Sequence, residues 1–281
     1  MDPSGVHVEK HIETPDFQYI SPDNVASSIQ EVVFRRGGVT IARISPTLLV
    51  KYGDDVHIIE AKTLRYIAQN TSIPVPRVFA AYTHGPFDRD EEWSSKYDTY
   101  IFMDYLDGQP LDQAWSQLKE KEKSTILAEL GDFIAQLRAI PTSGYIGSID
   151  HGPLRDSILE YFPVKGPFAS EQEFNTTLID AFCKSFRGEV RPYLTGMLNA
   201  HSHKIVFTHS DLRPANVIVK GGHVLGIIDW EMAGWYPEHW EFVKAFYVWR
   251  WQNDWGTRLL EIMQPYYCEQ AVHSWLTQVL L

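Results

Sequence analysis

Thr208-His209-Ser210-Asp211-Leu212-Arg213-Pro214-Ala215-Asn216 sets an amide five residues beyond a carboxylate. A second carboxylate, Asp229, follows an apolar stretch interrupted by Lys220-Gly221-Gly222-His223. An acid, an amide and another acid in this order are the oxygen-bearing groups that phosphoryl transfer needs. One carboxylate accepts the proton of an attacking hydroxyl, and the remaining oxygens hold Mg²⁺. Asp211 suits the first role, and Asn216 with Asp229 the second. The Gly-Gly pair lies between two β-branched runs, which is a hairpin signal, and a hairpin there would return Asp229 to the neighbourhood of Asn216. Glu231 comes two residues later and, if the chain stays extended, faces the same way as Asp229.

The same residues in an ordinary loop would require nothing upstream, whereas phosphoryl transfer requires a cation for the phosphates and a partner to aim it. Val32-Val33-Phe34, residues 39–44 and residues 48–52 are β-rich runs separated by Gly37-Gly38 and Ser45-Pro46, and they predict an antiparallel meander. Lys51 ends the third run, where its stem can pack while the ammonium reaches outward. Taken alone it would be a solvated edge lysine. Asp54-Asp55 then open a predicted helix with Val56, Ile59, Leu64 and Ile67 on one face and Glu60 inside it. Glu60 alone would be a surface charge, but after a lysine strand it is the expected partner of Lys51.

The remaining elements follow from periodicity and punctuation. Residues 1–20 are polar and aperiodic and are read as an extended arm, and Ser21-Pro22 opens a short helix to about Gln30. Residues 78–82 and 99–103 are read as strands, with an exposed loop at residues 83–97 between them. Asp104-Tyr105-Leu106-Asp107-Gly108 is the place where the chain crosses from an amino-terminal lobe, residues 1–103, to a carboxy-terminal lobe, residues 109–281. Residues 124–140 carry an apolar helical stripe, and residues 172–198 read as two helices interrupted near Arg191-Pro192. Residues 233–252 hold Trp235, Tyr236, Trp240, Phe242, Phe246, Tyr247, Trp249 and Trp251, which at helical spacing are read as core before ligand contacts.

Composition narrows the classes. The chain has 281 residues, 44% hydrophobic and 13% aromatic, which suits a folded protein with a sizeable core. No apolar run approaches the roughly 18 residues of a membrane helix, and the first residues lack an apolar signal core, so a cytoplasmic protein with no membrane partner is expected. The net charge of −11 argues against nucleic acid and favours a neutral or cationic small partner. Cys183 and Cys268 lack disulfide-framework or zinc-motif spacing and are read as ordinary buried thiols.

With these parts in this order, the chain resembles the aminoglycoside phosphotransferase and choline-kinase-like family, in particular its fungal phosphotransferase-enzyme branch. The residues that carry the resemblance are Val50-Lys51-Tyr52-Gly53, Phe207-Thr208-His209-Ser210-Asp211 to Asn216, Ile227-Ile228-Asp229-Trp230-Glu231 and Gly234-Trp235-Tyr236-Pro237-Glu238. The resemblance implies an α+β, two-lobed protein-kinase-like fold. It would have an antiparallel amino-terminal sheet with a helix, a mostly helical carboxy-terminal lobe with the catalytic hairpin, and ATP between the lobes. It makes Asp211 the catalytic base, His209 the brace of its loop, and Asn216 and Asp229 ligands of Mg²⁺. Lys51 would hold the nucleotide phosphates and pair with Glu60, while Met103, Asp104 and Leu106 would line the adenine side. Glu231 and Trp235 stand beside these as candidates for contact with the acceptor or for support of the site. The activity implied is transfer of the γ-phosphoryl group of ATP to a hydroxyl of a small molecule of aminoglycoside, choline or secondary-metabolite type.

The sequence departs from the family pattern at three places. His-Ser-Asp replaces the common His-Gly-Asp, Trp230-Glu231 follows Asp229 in place of Phe-Gly, and only Gly37-Gly38 stands where a Gly-x-Gly-x-x-Gly loop would cover phosphates. A reading from another class is a nucleotide-binding module that has lost transfer. It predicts a missing lysine, base or metal ligand, and the chain keeps all of them. Phosphorylation of a protein side chain is disfavoured, because no separate activation segment follows Asp229.

Overall fold

A computed structural model describes residues 6–90, 94–142, 144–159, 164–185, 189–246 and 253–280. The chain divides into two units, Met1–Gln69 with Pro74–Gly108, and Asn70–Ile73 with Gln109–Leu281.

The first unit is built on one antiparallel sheet. In chain order its elements are β1 (His7–Glu13), α1 (Pro22–Ser28), β2 (Glu31–Arg36), β3 (Val39–Arg43), β4 (Leu48–Gly53), α2 (Ile58–Asn70), β5 (Val78–Gly85) and β6 (Asp98–Asp104). The strand order is β1-β5-β6-β4-β3-β2. Alternation decides which face is buried: Ala42, Val50, Tyr82, Tyr100 and Phe102 form a core with Val25 of α1. The turns use glycine where the backbone demands it. Gly37 has φ +54, and a Cβ on Gly53, at φ +139, would overlap the carbonyl oxygen of Gly38.

Three expectations are corrected in this unit. The arm contains a strand, β1, which pairs with β5 and breaks register between Lys10 and Ile12. An edge strand with a bulge and a single buried side chain, Ile12, has no clean period to read. The loop after β5 starts later, because β5 runs to Gly85. Helix α2 begins at Ile58, since Asp55 is held in a turn by its N–H to Gly38 O at 3.2 Å. The edge-lysine alternative weighed for Lys51 does not hold, because β4 lies between β3 and β6. Glu91 and Glu92 of the expected loop, and Met1 to Gly5 of the arm, lie outside the described residues.

The second unit runs β7 (Gln109–Pro110), α3 (Leu111–Ala114), α4 (Glu120–Ala139), α5 (Glu171–Ser185), α6 (Arg191–Leu198), β8 (Ile205–Thr208), β9 (Val217–Lys220), β10 (His223–Ile227), β11 (Gly234–Pro237), α7 (Trp240–Ala245), α8 (Trp255–Leu259) and α9 (Tyr267–Leu280). β9 and β10 form the expected hairpin, with Gly221 and Gly222 both at positive φ, and β7 adds a third strand. Helix α4 begins four residues before the expected start, where the Glu122 carboxylate accepts the N–H of Lys119 at 2.8 Å. The two expected helices are α5 and α6, and the break falls just before Arg191-Pro192, which open α6, where a helix accepts proline.

The aromatic run is not continuous helix. Residues Gly234–Pro237 are a strand pairing with β8, Trp235 opposite Phe207, and helix resumes only at Trp240. Its reading as core holds for Trp235, Tyr236, Trp240 and Phe242, all buried. Tyr247, Trp249 and Trp251 lie outside the described residues. The thiol reading is also corrected: Cys183 is half-buried on α5 and Cys268 exposed on α9. Among the described residues no helix is long and apolar enough to cross a membrane.

Candidate active site

In the first unit, Lys51 projects from an interior strand and is 5% exposed, and Glu60 in the first turn of α2 is 2% exposed. Their Nζ and Oε2 atoms are 2.8 Å apart. Two charges leave water together only if each answers the other, so this pair is aimed, not solvated. Met103 is buried at the end of β6, opposite Leu49 and Val78. Asp104 accepts the Arg77 N–H at 2.9 Å on Oδ2 and gives its own N–H to Arg77 O at 3.0 Å. The Leu106 carbonyl accepts from the Gly108 N–H at 2.9 Å in the turn that follows.

In the second unit, the stretch after β8 folds over a buried histidine. The Asp211 N–H donates to His209 Nδ1 at 3.1 Å, which leaves the proton on Nε2 to reach Ile228 O, also at 3.1 Å. Burial keeps this ring neutral by pushing its pKa down, against the pull of the Glu241 carboxylate. One side chain thereby ties the loop of Asp211 to the strand end that carries Asp229. The link is doubled by the Ile228 N–H, which donates to Asn216 O at 3.0 Å.

Asn216 gives its Nδ2 to Asp211 twice, at 2.7 Å to Oδ2 and 2.9 Å to the main-chain oxygen. Oδ1 is then the atom it has to offer a cation. Arg213 Nε stands 3.2 Å from Asp211 Oδ2. The Asp211 carboxyl is pushed up from its ordinary value, first by burial and then by the charge of Asp229, with Arg213 pulling the other way. The Asp229 and Glu231 carboxylates approach within 4.8 Å of each other. They do so across a turn and not along a strand: β10 ends at Ile227, and Asp229 has φ +65. The expected same-face argument for Glu231 therefore fails, although the two acids still meet. Trp235 is core, 5% exposed, with its ring against Phe207 and Tyr145 at centroid distances of 5.0 and 5.2 Å.

Three supporting residues, Glu241, Asp156 and Lys244, escaped the sequence reading. Glu241 of α7 is buried, and its two carboxylate oxygens accept the N–H groups of His209 at 2.7 Å and Ser210 at 3.2 Å. Burial pushes its carboxyl up, while His209 and these donors oppose that. Asp156, also buried, accepts from Ser210 Oγ at 3.0 Å and Trp240 Nε1 at 3.1 Å, and faces Lys244 Nζ at 3.2 Å. Burial alone would raise the Asp156 carboxyl, but Lys244 and the hydrogen bonds bring it below its usual value. Ser210 has φ +68, the conformation glycine takes most easily, and its hydroxyl is engaged by Asp156 and Trp240. A sign of this scaffold was present in the sequence: Glu241 and Lys244 interrupt an apolar run, and charges in such a run must be paired once buried.

This α+β arrangement is that of the kinase-like phosphotransferases. A protein from Haemophilus somnus 129PT assigned as a fructosamine-3-kinase shares 17% identity over 89% of this chain and 81% of that one, at TM-score 0.59. A thermostable mutant of aminoglycoside phosphotransferase APH(4)-Ia, bound to ADP and hygromycin B, shares 15% identity over 90% and 86%, at TM-score 0.59. APH(2'')-IIa in complex with streptomycin and ATP shares 13% over 92% and 86%, at TM-score 0.55. No curated protein matches the chain. The phosphotransferase enzyme family matches over residues 28–276, and the chain belongs to that family.

Proposed function

We propose that the chain is an ATP- and Mg²⁺-dependent kinase that phosphorylates a hydroxyl of a small molecule. The observation that carries this is the Asp211 carboxylate held by Asn216 Nδ2 at 2.7 Å, on a loop tied through Asn216 O to the strand end that bears Asp229. The donor set there, an amide oxygen with the Asp229 carboxylate and Glu231 nearby, is hard oxygen of the kind Mg²⁺ takes. Mg²⁺ bound there would neutralise phosphate charge. Asp211 accepts the proton of the acceptor hydroxyl, and Arg213 and Asn216 keep its carboxylate oriented. His209 fixes the loop. Lys51, aimed by Glu60, takes the phosphates, and the chain from Met103 through Asp104 to Leu106 meets the adenine. The net charge of −11 suits a cationic acceptor, as do the aminoglycoside complexes of the structural relatives.

The test is a metabolite panel scored by ADP release, followed by Asp211→Asn on the acceptor found. Loss of a positioned general base costs about 10²–10⁴-fold in rate, so kcat should fall in that range while nucleotide affinity stays near that of the parent. Transfer at the parent rate in Asp211→Asn would overturn the assignment of the base. Nucleotide binding without transfer to any acceptor would favour a silent module.

A further inference from the structure

A second convergence of ligand-type side chains lies in the second unit, apart from the acidic centre. Glu171 opens α5, His203 lies just before β8 and His239 immediately precedes α7, and one atom of each lies within 4.8 Å of the others. Glu171 Oε1 meets His203 Nδ1 at 2.6 Å, and its Oε2 accepts the His203 N–H at 2.8 Å. The rings of His203 and His239 have centroids 4.4 Å apart. Glu269, in the first turn of α9, reaches His203 Nε2 at 3.5 Å. A cavity of about 20 Å³ adjoins the group, lined in part by His239, Glu269 and His273, and that is room for one particle the size of a water or an ion.

A plain hydrogen-bonded cluster would satisfy every ring nitrogen, because buried polar atoms are rarely left unpaired. His239 does not fit that description. It is 6% exposed, and its Nδ1 has no hydrogen-bond partner among the described residues. Burial first, then the neighbouring His203 and His273, pulls its pKa down to about 3, so the ring is the neutral imidazole that coordinates metals.

We propose that Glu171, His203 and His239, with Glu269 beside them, form a binding site for a divalent transition-metal ion of the zinc type. Two imidazoles and a carboxylate are a borderline donor set, taken by zinc and its first-row neighbours and not by hard, octahedral Mg²⁺. Bonds of about 2.1 Å place ligand atoms roughly 3–4 Å apart on one ion. Metal entry thus draws His239 inward and opens the short Glu171–His203 contact. The bound ion would join α5, the entry to β8 and the start of α7. Glu241, which holds the His209-Ser210 backbone, lies two residues beyond His239. The ion would therefore secure the scaffold of the acidic centre and take no part in its chemistry. Cysteine spacing gives no hint of it, because the ligands come from separate elements.

The test uses the untagged full chain, stripped with chelator and equilibrated with Zn²⁺ or Co²⁺ in nucleotide-free, Mg²⁺-free buffer. Metal retained is counted by elemental analysis, and the visible spectrum of the Co²⁺ form reports its ligands. One ion per chain, a higher melting temperature and an intense, low-symmetry Co²⁺ spectrum of mixed nitrogen and oxygen ligation are expected. His239→Gln should lose the ion, and Glu171→Gln, which removes a direct ligand, should weaken binding by more than the roughly 10- to 100-fold that loss of an outer partner costs. Should His239→Gln fail to fold, the Co²⁺ spectrum of the parent chain and the affinity of Glu171→Gln still decide. Substoichiometric binding, an all-oxygen octahedral Co²⁺ spectrum, or unchanged retention in either folded variant overturns the proposal. None of these readouts depends on phosphoryl transfer.

Discussion

Ser210 stands where the family resemblance implies glycine, and its geometry shows what the exchange involves. Its backbone holds φ +68, which costs a residue with a Cβ roughly 1–2 kcal/mol relative to glycine. Its hydroxyl gives Asp156 a hydrogen bond to a buried charge, an interaction typically of about 1.5–3 kcal/mol. Ser210→Ala keeps the strain and discards the hydroxyl, whereas Ser210→Gly discards both. Thermal melts should therefore rank the parent first, Gly next and Ala last, and a glycine variant melting below the alanine one would contradict this account. Asp156 would keep Lys244 and Trp240 in either variant, so neither change should unfold the chain.

At the level of elements, β4 and α2 are joined by the Lys51–Glu60 pair. Lys51→Met leaves Glu60 buried without its ammonium, and removal of one partner of a buried pair costs about 3–5 kcal/mol. The double variant Lys51→Met/Glu60→Leu should recover most of that stability in chemical denaturation while nucleotide binding stays lost. Recovery of nucleotide binding would mean the pair does not serve the nucleotide, and stability that does not return would contradict the account of the buried pair. The meander and the hairpin were legible because a period of two and Gly-Gly turns leave few alternatives, and the Asp211, Asn216 and Asp229 spacing was legible because the hairpin closes it. β1 was not, since an edge strand with one buried side chain has no pattern. β11 was not, since Trp235 and Tyr236 read equally well as helical core. Asp156 and Glu241 could not be matched to the loop that bears Asp211 by spacing, because they come from distant parts of the chain and only folding shows which backbone groups they satisfy.

For the molecule as a whole, a charge of −11 creates a field that draws cations from a distance. Between about 0.01 M and about 0.15 M salt the screening length falls from roughly 30 to 8 Å. KM for a cationic acceptor should rise several-fold over that range, and KM for a neutral acceptor should stay level. Equal responses would remove charge as a basis of selection. The buried carboxylates have a different consequence, one of timing. The turn that bears Asp211 borrows its acceptors from Glu241 and Asp156, which are 31 or 32 and 54 positions away along the chain. It therefore cannot take its working shape as a local event during refolding. Competence must arrive late and all at once, after the distant carboxy-terminal stretch has docked, so a nascent polypeptide stopped before Glu241 would stay inert however much of its secondary structure had formed.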